Sequence, residues 1–170
     1  MSQRNKNLAD RSIRRQVEAM TRKRLASQDI VDLSEFRSLR KDQYQPSILV
    51  VDDEEIMRNA LKRILEAEGY KVLLAEDAMG LTKVLDTAHF DLILCDINLP
   101  WVDGLELCAM LKGHPALNHV PLVLVSGRKT KEDIEKGFAA GCNDYVTKPF
   151  EIEKIIEVVS KSLDLKEAAK

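Results

Sequence analysis

Phe90-Asp91-Leu92-Ile93-Leu94-Cys95-Asp96 is a short apolar run that stops at an acid. Three other segments have the same build. Ile48-Leu49-Val50-Val51 stops at Asp52-Asp53, Leu122-Val123-Leu124-Val125 stops at Ser126, and Asn143-Asp144-Tyr145-Val146-Thr147 stops at Lys148-Pro149-Phe150. Continuous apolar runs of this length are expected of strands in a parallel sheet covered on both faces. With one further run they predict strands near 48–51, 71–75, 91–95, 121–125 and 143–146. Helical stretches near 54–67, 78–88, 104–112 and 131–139 separate them, and a last helix is predicted near 151–164. In that helix Ile152, Ile155, Ile156, Val159 and Leu163 keep the i, i+3, i+4, i+7 spacing of one buried face. Gly69, Gly113 and Gly141 fall just past predicted helix ends, where a left-handed cap favours glycine. Five strand–helix units with short connections predict an α/β fold, a doubly wound parallel sheet between two helical layers.

The bulk properties agree with one compact domain and a modest extension. The chain has 170 residues, 45% of them hydrophobic and 32% charged. No apolar run approaches the ~20 residues of a membrane span. The start, Met-Ser-Gln-Arg-Asn-Lys, has no apolar segment behind its charges and does not read as a secretory signal. Three cysteines without paired spacing argue against a disulfide framework, and Cys95 and Cys142 read as small buried side chains. A reducing cytoplasm is the expected compartment.

The net charge of −2 hides an asymmetry. Residues 1–45 hold 11 Lys and Arg against 6 Asp and Glu, a net of +5; the remainder holds 15 against 22, a net of −7. The chain therefore divides near Pro46 into a basic extension (1–45), a main domain (46–165) and a short tail (166–170). The extension is expected to be a short arm, α-helical or partly disordered. Ile13, Val17 and Met20 have weak helical spacing, and Asp32 with Glu35 fits a capping box before Phe36 and Leu39.

In an open α/β sheet, ligands bind beyond the carboxyl ends of the strands, where the strand order reverses. With order 2-1-3-4-5 the first and third strands flank that point, and Asp52, Asp53 and Asp96 meet in one crevice. Two carboxylates at ~4 Å repel by roughly 4 kcal/mol at an effective dielectric near 20. A hard divalent cation such as Mg²⁺ relieves this, since it takes oxygen ligands and tolerates carboxylates. It would also draw a phosphoryl group against Asp96, a nucleophile already ionised at neutral pH. Lys148 can balance the remaining charge, and Ser126 can donate to a phosphoryl oxygen. Taken singly, each residue has a plainer reading. An Asp after a strand is commonly a helix N-cap, Asp53 could cap a helix starting at Glu54, and Lys-Pro is commonly a turn. Four such residues at the same end of different strands make coincidence a poor explanation.

At this constellation the sequence resembles the receiver domain of two-component response regulators, of the chemotaxis-type single-receiver kind with an N-terminal extension. The resemblance covers residues 47–165, about 70% of the chain. It is carried by Asp52-Asp53, by Asp96-Ile97-Asn98-Leu99-Pro100 with Asp103-Gly104, by Ser126-Gly127 and by Lys148-Pro149-Phe150. It implies a flavodoxin-like five-stranded sheet in the order 2-1-3-4-5. It implies that Asp96 accepts a phosphoryl group from a sensor histidine kinase or histidine phosphotransfer protein. Mg²⁺ (or Mn²⁺) would be held by Asp53, Asp96 and the backbone carbonyl of Asn98, with Asp52 acting through water. Ser126 would contact the phosphoryl group and Lys148 would pair with it, while the bond before Pro149 would be cis. Tyr145 matches an aromatic switch position that turns inward when Ser126 moves toward the phosphate. Asn98 and Arg128 occupy positions that tune self-catalysed dephosphorylation. Leu99 stands where the family often has Met, and Ser126 replaces the commoner Thr; both changes keep the chemistry. Such a protein is a signalling protein rather than a turnover enzyme.

The chain ends soon after the last predicted helix, so no winged-helix or catalytic output module is expected. Output would then pass through contacts with a downstream protein, on the face formed by the fourth helix, fifth strand and fifth helix (Lys131, Asp133, Lys136, Glu153, Lys154). The arm is expected first to dock a partner or form a homodimer. Contact with nucleic acid or an acidic membrane surface ranks lower, because the arm lacks interleaved aromatics. An adaptor or phosphate-sink role is the alternative. Haloacid-dehalogenase-type phosphatases also use Asp, Mg²⁺ and Lys, but place the nucleophile after the first strand in an Asp-x-Asp pattern absent here. No glycine-rich loop follows the first strand, which disfavours nucleotide binding. His89, His114 and His119 lack metal-ligand spacing and read as surface residues.

Overall fold

The computed structural model describes residues 44–168. Readings that fall on residues 1–43, including the helices and partners of the arm, lie outside the described residues. Among the described residues, five strands alternate with five helices. They are β1 (Ser47–Val51), α1 (Glu55–Ala67), β2 (Lys71–Ala75), α2 (Ala78–Thr87), β3 (Leu92–Asp96), α3 (Gly104–Gly113), β4 (Leu122–Ser126), α4 (Lys131–Ala139), β5 (Asp144–Thr147) and α5 (Ile152–Ala168). All pairings between these strands are parallel, in the order β2-β1-β3-β4-β5. The doubly wound sheet expected from the sequence is therefore the one observed.

Side chains alternate along each strand between two cores. Leu49, Val51, Ile93, Cys95, Leu122 and Leu124 face one side, under Leu81 of α2 and Leu107, Cys108 and Leu111 of α3. Ile48, Val50, Leu92, Leu94, Val123 and Val125 face the other, under Leu61 and Leu65 of α1 and Ile155, Val158 and Val159 of α5. This two-sided burial explains why β1, β3 and β4 are almost wholly apolar rather than alternating. No helix among the described residues is long and apolar enough to cross a membrane.

Three details differ from the sequence expectation. β3 and β4 extend one residue further than predicted, so Asp96 and Ser126 are themselves the last residues of their strands. The buried face of α5 begins one turn late. Ile152, its first residue, is 52% exposed, and the stripe runs through Ile155, Val158, Val159 and Ser162. Gly69 (φ +85°) and Gly141 (φ +98°) adopt the left-handed conformation, whereas Gly113 does not, being the last residue of α3 itself. Elsewhere the helix starts follow local chemistry. Asp77 caps α2, Asp103 caps α3, and Thr130 with Asp133 forms a capping box on α4.

Candidate phosphoacceptor site

Because all strands run the same way, their carboxyl ends share one edge of the sheet. The order reverses between β1 and β3, which open toward α1 and α3 there. Asp52 follows β1, Asp96 ends β3, Ser126 ends β4 and Lys148 follows β5. Oxygens of Asp52, Asp53 and Asp96 lie within 4.8 Å of one another. Asp52 and Asp96 are buried, at 1% and 8% exposure, whereas Asp53 is exposed.

Each buried acid spends one oxygen on its own turn. Asp52 Oδ1 accepts from the Glu54 N–H at 2.8 Å, and Asp96 Oδ1 from the Asn98 N–H at 3.3 Å. The second oxygens both face Lys148, whose Nζ donates to Asp52 Oδ2 at 2.9 Å and to Asp96 Oδ2 at 3.1 Å. Burial alone would discourage the Lys148 charge, but the Asp52 and Asp96 carboxylates outweigh it and raise the pKa above the usual lysine value. Lys148 is itself fixed by its backbone N–H, which donates to the Ser126 carbonyl at 2.7 Å, and the following bond to Pro149 is cis.

The plainer readings of these acids do not match the geometry. The residue at the N-cap of α1 is Glu54, with no side-chain capping bond, and α3 is capped by Asp103. Neither Asp53 nor Asp96 therefore caps a helix. Three carboxylates gather within 4.8 Å of one another, and the one lysine beside them pairs with two, Asp52 and Asp96, which leaves an excess of negative charge. The donors are all hard oxygens, and one acid, Asp53, faces solvent. That set fits Mg²⁺ and not a thiolate- or imidazole-seeking metal.

A second layer joins the loops after β3 and β4 to β5 itself through Arg128. Its backbone N–H donates to Ser126 Oγ at 3.2 Å, and its carbonyl accepts from the Tyr145 hydroxyl at 2.7 Å. Its side chain crosses to the β3–α3 loop, where Nε donates to Asn98 Oδ1 at 2.9 Å and Nη2 pairs with Asp103 Oδ2 at 3.4 Å. Tyr145 is half-buried on β5, its ring facing Gly137 of α4. Burial raises the Tyr145 phenol above its ordinary pKa, against the opposing effect of the Ser126 hydroxyl. Asp52, Asp53, Asp96, Asn98, Ser126, Arg128, Tyr145, Lys148 and Pro149 thus fall at or near this end of the sheet. The contacts through the Arg128 backbone were not readable there, since a backbone bond leaves no mark on residue type.

Nothing in the sequence flags Arg58. It lies on the buried stripe of α1 with Leu61 and Leu65, a place where an apolar residue is expected. Its Nη1 donates to the Asp52 carbonyl at 2.9 Å and its Nη2 to Glu76 Oε2 at 2.8 Å.

A doubly wound sheet with three acids, a hydroxyl and a bridging lysine at its switch point defines a phosphoacceptor domain of two-component signalling. The chain belongs to the response regulator receiver domain family, which matches residues 48–160. Among relatives, the polar-differentiation response regulator DivK of Brucella ovis is 32% identical over 117 residues, 69% of this chain and 95% of DivK. The aerobic respiration control protein ArcA of Escherichia coli K12 is 41% identical over 105 residues, 62% of this chain but 43% of ArcA. The chain thus spans under half the length of ArcA. Among solved structures, a CheY-like receiver from Methanospirillum hungatei superposes with a TM-score of 0.68 at 31% identity, covering 75% of this chain and 100% of that one. Vibrio cholerae CheY4 gives 0.65 at 26% identity, covering 71% and 100%.

Proposed function

We propose that Asp96 accepts a phosphoryl group from a sensor histidine kinase or histidine phosphotransfer protein, in a cytoplasmic signalling protein that is not a turnover enzyme. The observation that carries this reading is the bridge from Lys148 to both Asp52 and Asp96 inside the acid cluster. An Asp96 oxygen attacks phosphorus; an O–P bond forms as the P–N bond to the donor histidine breaks, and the imidazole leaves. No base is needed, because the nucleophile is already a carboxylate. Lys148 keeps Asp96 aimed and then pairs with the added negative charge. Ser126, the buried end of β4, supplies a hydroxyl to the phosphoryl oxygens. Asp52, Asp53, Asp96 and the Asn98 carbonyl would hold Mg²⁺. A cation held there would supply charge neutralisation to the incoming group, worth several kcal/mol.

The test is metal removal. With a small acyl phosphate as donor, chelation of Mg²⁺ is expected to slow phosphoryl incorporation by about 100-fold or more, and Mn²⁺ should restore it. An unchanged rate in chelator would refute the cation role.

Movement of Ser126 toward a phosphoryl group would pull on the Arg128 N–H and, through the Arg128 carbonyl, on Tyr145. That gives the switch a route to the α4-β5-α5 face, where a downstream protein would read it. The Arg128 guanidinium, tied to Asn98, also lies across the mouth between two loops. Arg128→Ala removes a hydrogen bond of about 1 kcal/mol and is expected to speed acyl-phosphate hydrolysis about five-fold. Equal lifetimes in the variant and wild type would end that role.

A further inference from the structure

We infer that Arg58 is a positioning residue for the cation site, fixing the backbone of Asp52 so that the Asp52 and Asp53 carboxylates converge with Asp96. The inference rests on the Mg²⁺ reading above. Asp52 and Asp53 lie in the short connection between β1 and α1, and the turn bond from Glu54 N–H to Asp52 Oδ1 orients one side chain, not the backbone that carries both. That backbone is held from two sides. The Asp52 N–H donates to the Ala75 carbonyl at 3.2 Å, and the Asp52 carbonyl accepts from Arg58 Nη1 at 2.9 Å. The other arm of the guanidinium is held at 2.8 Å by Glu76, which follows β2. Arg58 therefore braces the β1–α1 turn against the β2–α2 turn, through a rigid fork that a lysine cannot reproduce.

The position makes a packing explanation weak. A guanidinium only 9% exposed on a helix stripe that otherwise holds leucines is retained against a desolvation penalty. A leucine or methionine there would fill the core as well, but would leave the Asp52 carbonyl without this partner. Residues that orient metal ligands typically change affinity 10- to 100-fold when lost. Asp53, which is exposed and makes no bond or ion pair of its own among the described residues, depends for its aim on this backbone.

The test measures Mn²⁺ affinity from the free-ion paramagnetic resonance signal, with Mg²⁺ as competitor, on folded protein. Arg58→Met is expected to raise the Kd about 10-fold or more, and Arg58→Lys to raise it by less. Leu65→Ala, a buried change further along α1 that does not touch the site, is the control and should leave the Kd unchanged. Glu76→Ala removes an exposed brace and should raise the Kd about two- to five-fold, which decides the matter if the Arg58 variants do not fold. Wild-type affinity in Arg58→Met or, failing that, in Glu76→Ala would overturn the inference. So would equal weakening in Arg58→Met and Leu65→Ala, since the effect would then be general loosening. A wild-type protein that binds neither cation would instead refute the cation site, and Arg58's role with it.

Discussion

Gly104→Ala is expected to destabilise the domain by about 3 kcal/mol, the upper end of overpacking effects. Gly104 opens α3, and its N–H donates to the Ile97 carbonyl at 2.8 Å. A Cβ at this position would stand 2.3 Å from the Asp96 carbonyl oxygen and 2.4 Å from Ile97 Cα. Both opposing atoms are backbone, so no rotamer change relieves the clash. The start of α3 would have to move away from the end of β3, and Asp96 sits on the strand that has to give. Thermal unfolding should show the midpoint falling by on the order of 10 °C. Gly127→Ala is the comparison. Nothing lies within 4 Å of its Cβ, and its backbone is not left-handed, so it should change little. A Gly104→Ala variant as stable as Gly127→Ala would show that this close approach does not exist in solution. The same variant should also accept phosphate more slowly, because the residue it displaces is the acceptor strand itself.

The fold was legible because β1, β3 and β4 are buried on both faces and apolar almost throughout, as a doubly covered sheet demands. The bounds of α4, predicted and observed at 131–139, follow from the Thr130–Asp133 capping box with its acidic first turn and the stop before Gly141. α5 was less legible. Its apolar spacing extends back to Ile152, but spacing does not say where a helix first meets the sheet. The acids, Ser126 and Lys148 could be gathered from sequence because each ends an apolar run, and topology then brings run ends together. Arg58 could not. A charged residue in a helix reads as a solvated face, and its partners are a carbonyl six residues back and an acid 18 residues ahead. Arg128 was legible as a residue but not as a junction, because two of its contacts are made by its backbone.

Asp96→Asn is expected to remove phosphoryl acceptance entirely. The amide keeps the shape of the side chain and can still accept from the Asn98 N–H. It loses the negative charge that attacks phosphorus, one cation ligand, and one of the two carboxylates that Lys148 bridges. A neutral amide oxygen is a far weaker nucleophile, and no neighbouring acid takes its place. Asp52 is turned toward Lys148 and the Glu54 N–H, and Asp53 lies at the exposed margin. The direct measurement is intact mass after incubation with a small acyl phosphate and Mg²⁺. The wild type should gain one phosphoryl group and Asp96→Asn none. A variant that still gains one, or a folded wild type that gains none, would contradict the assignment of Asp96 as the phosphoryl acceptor.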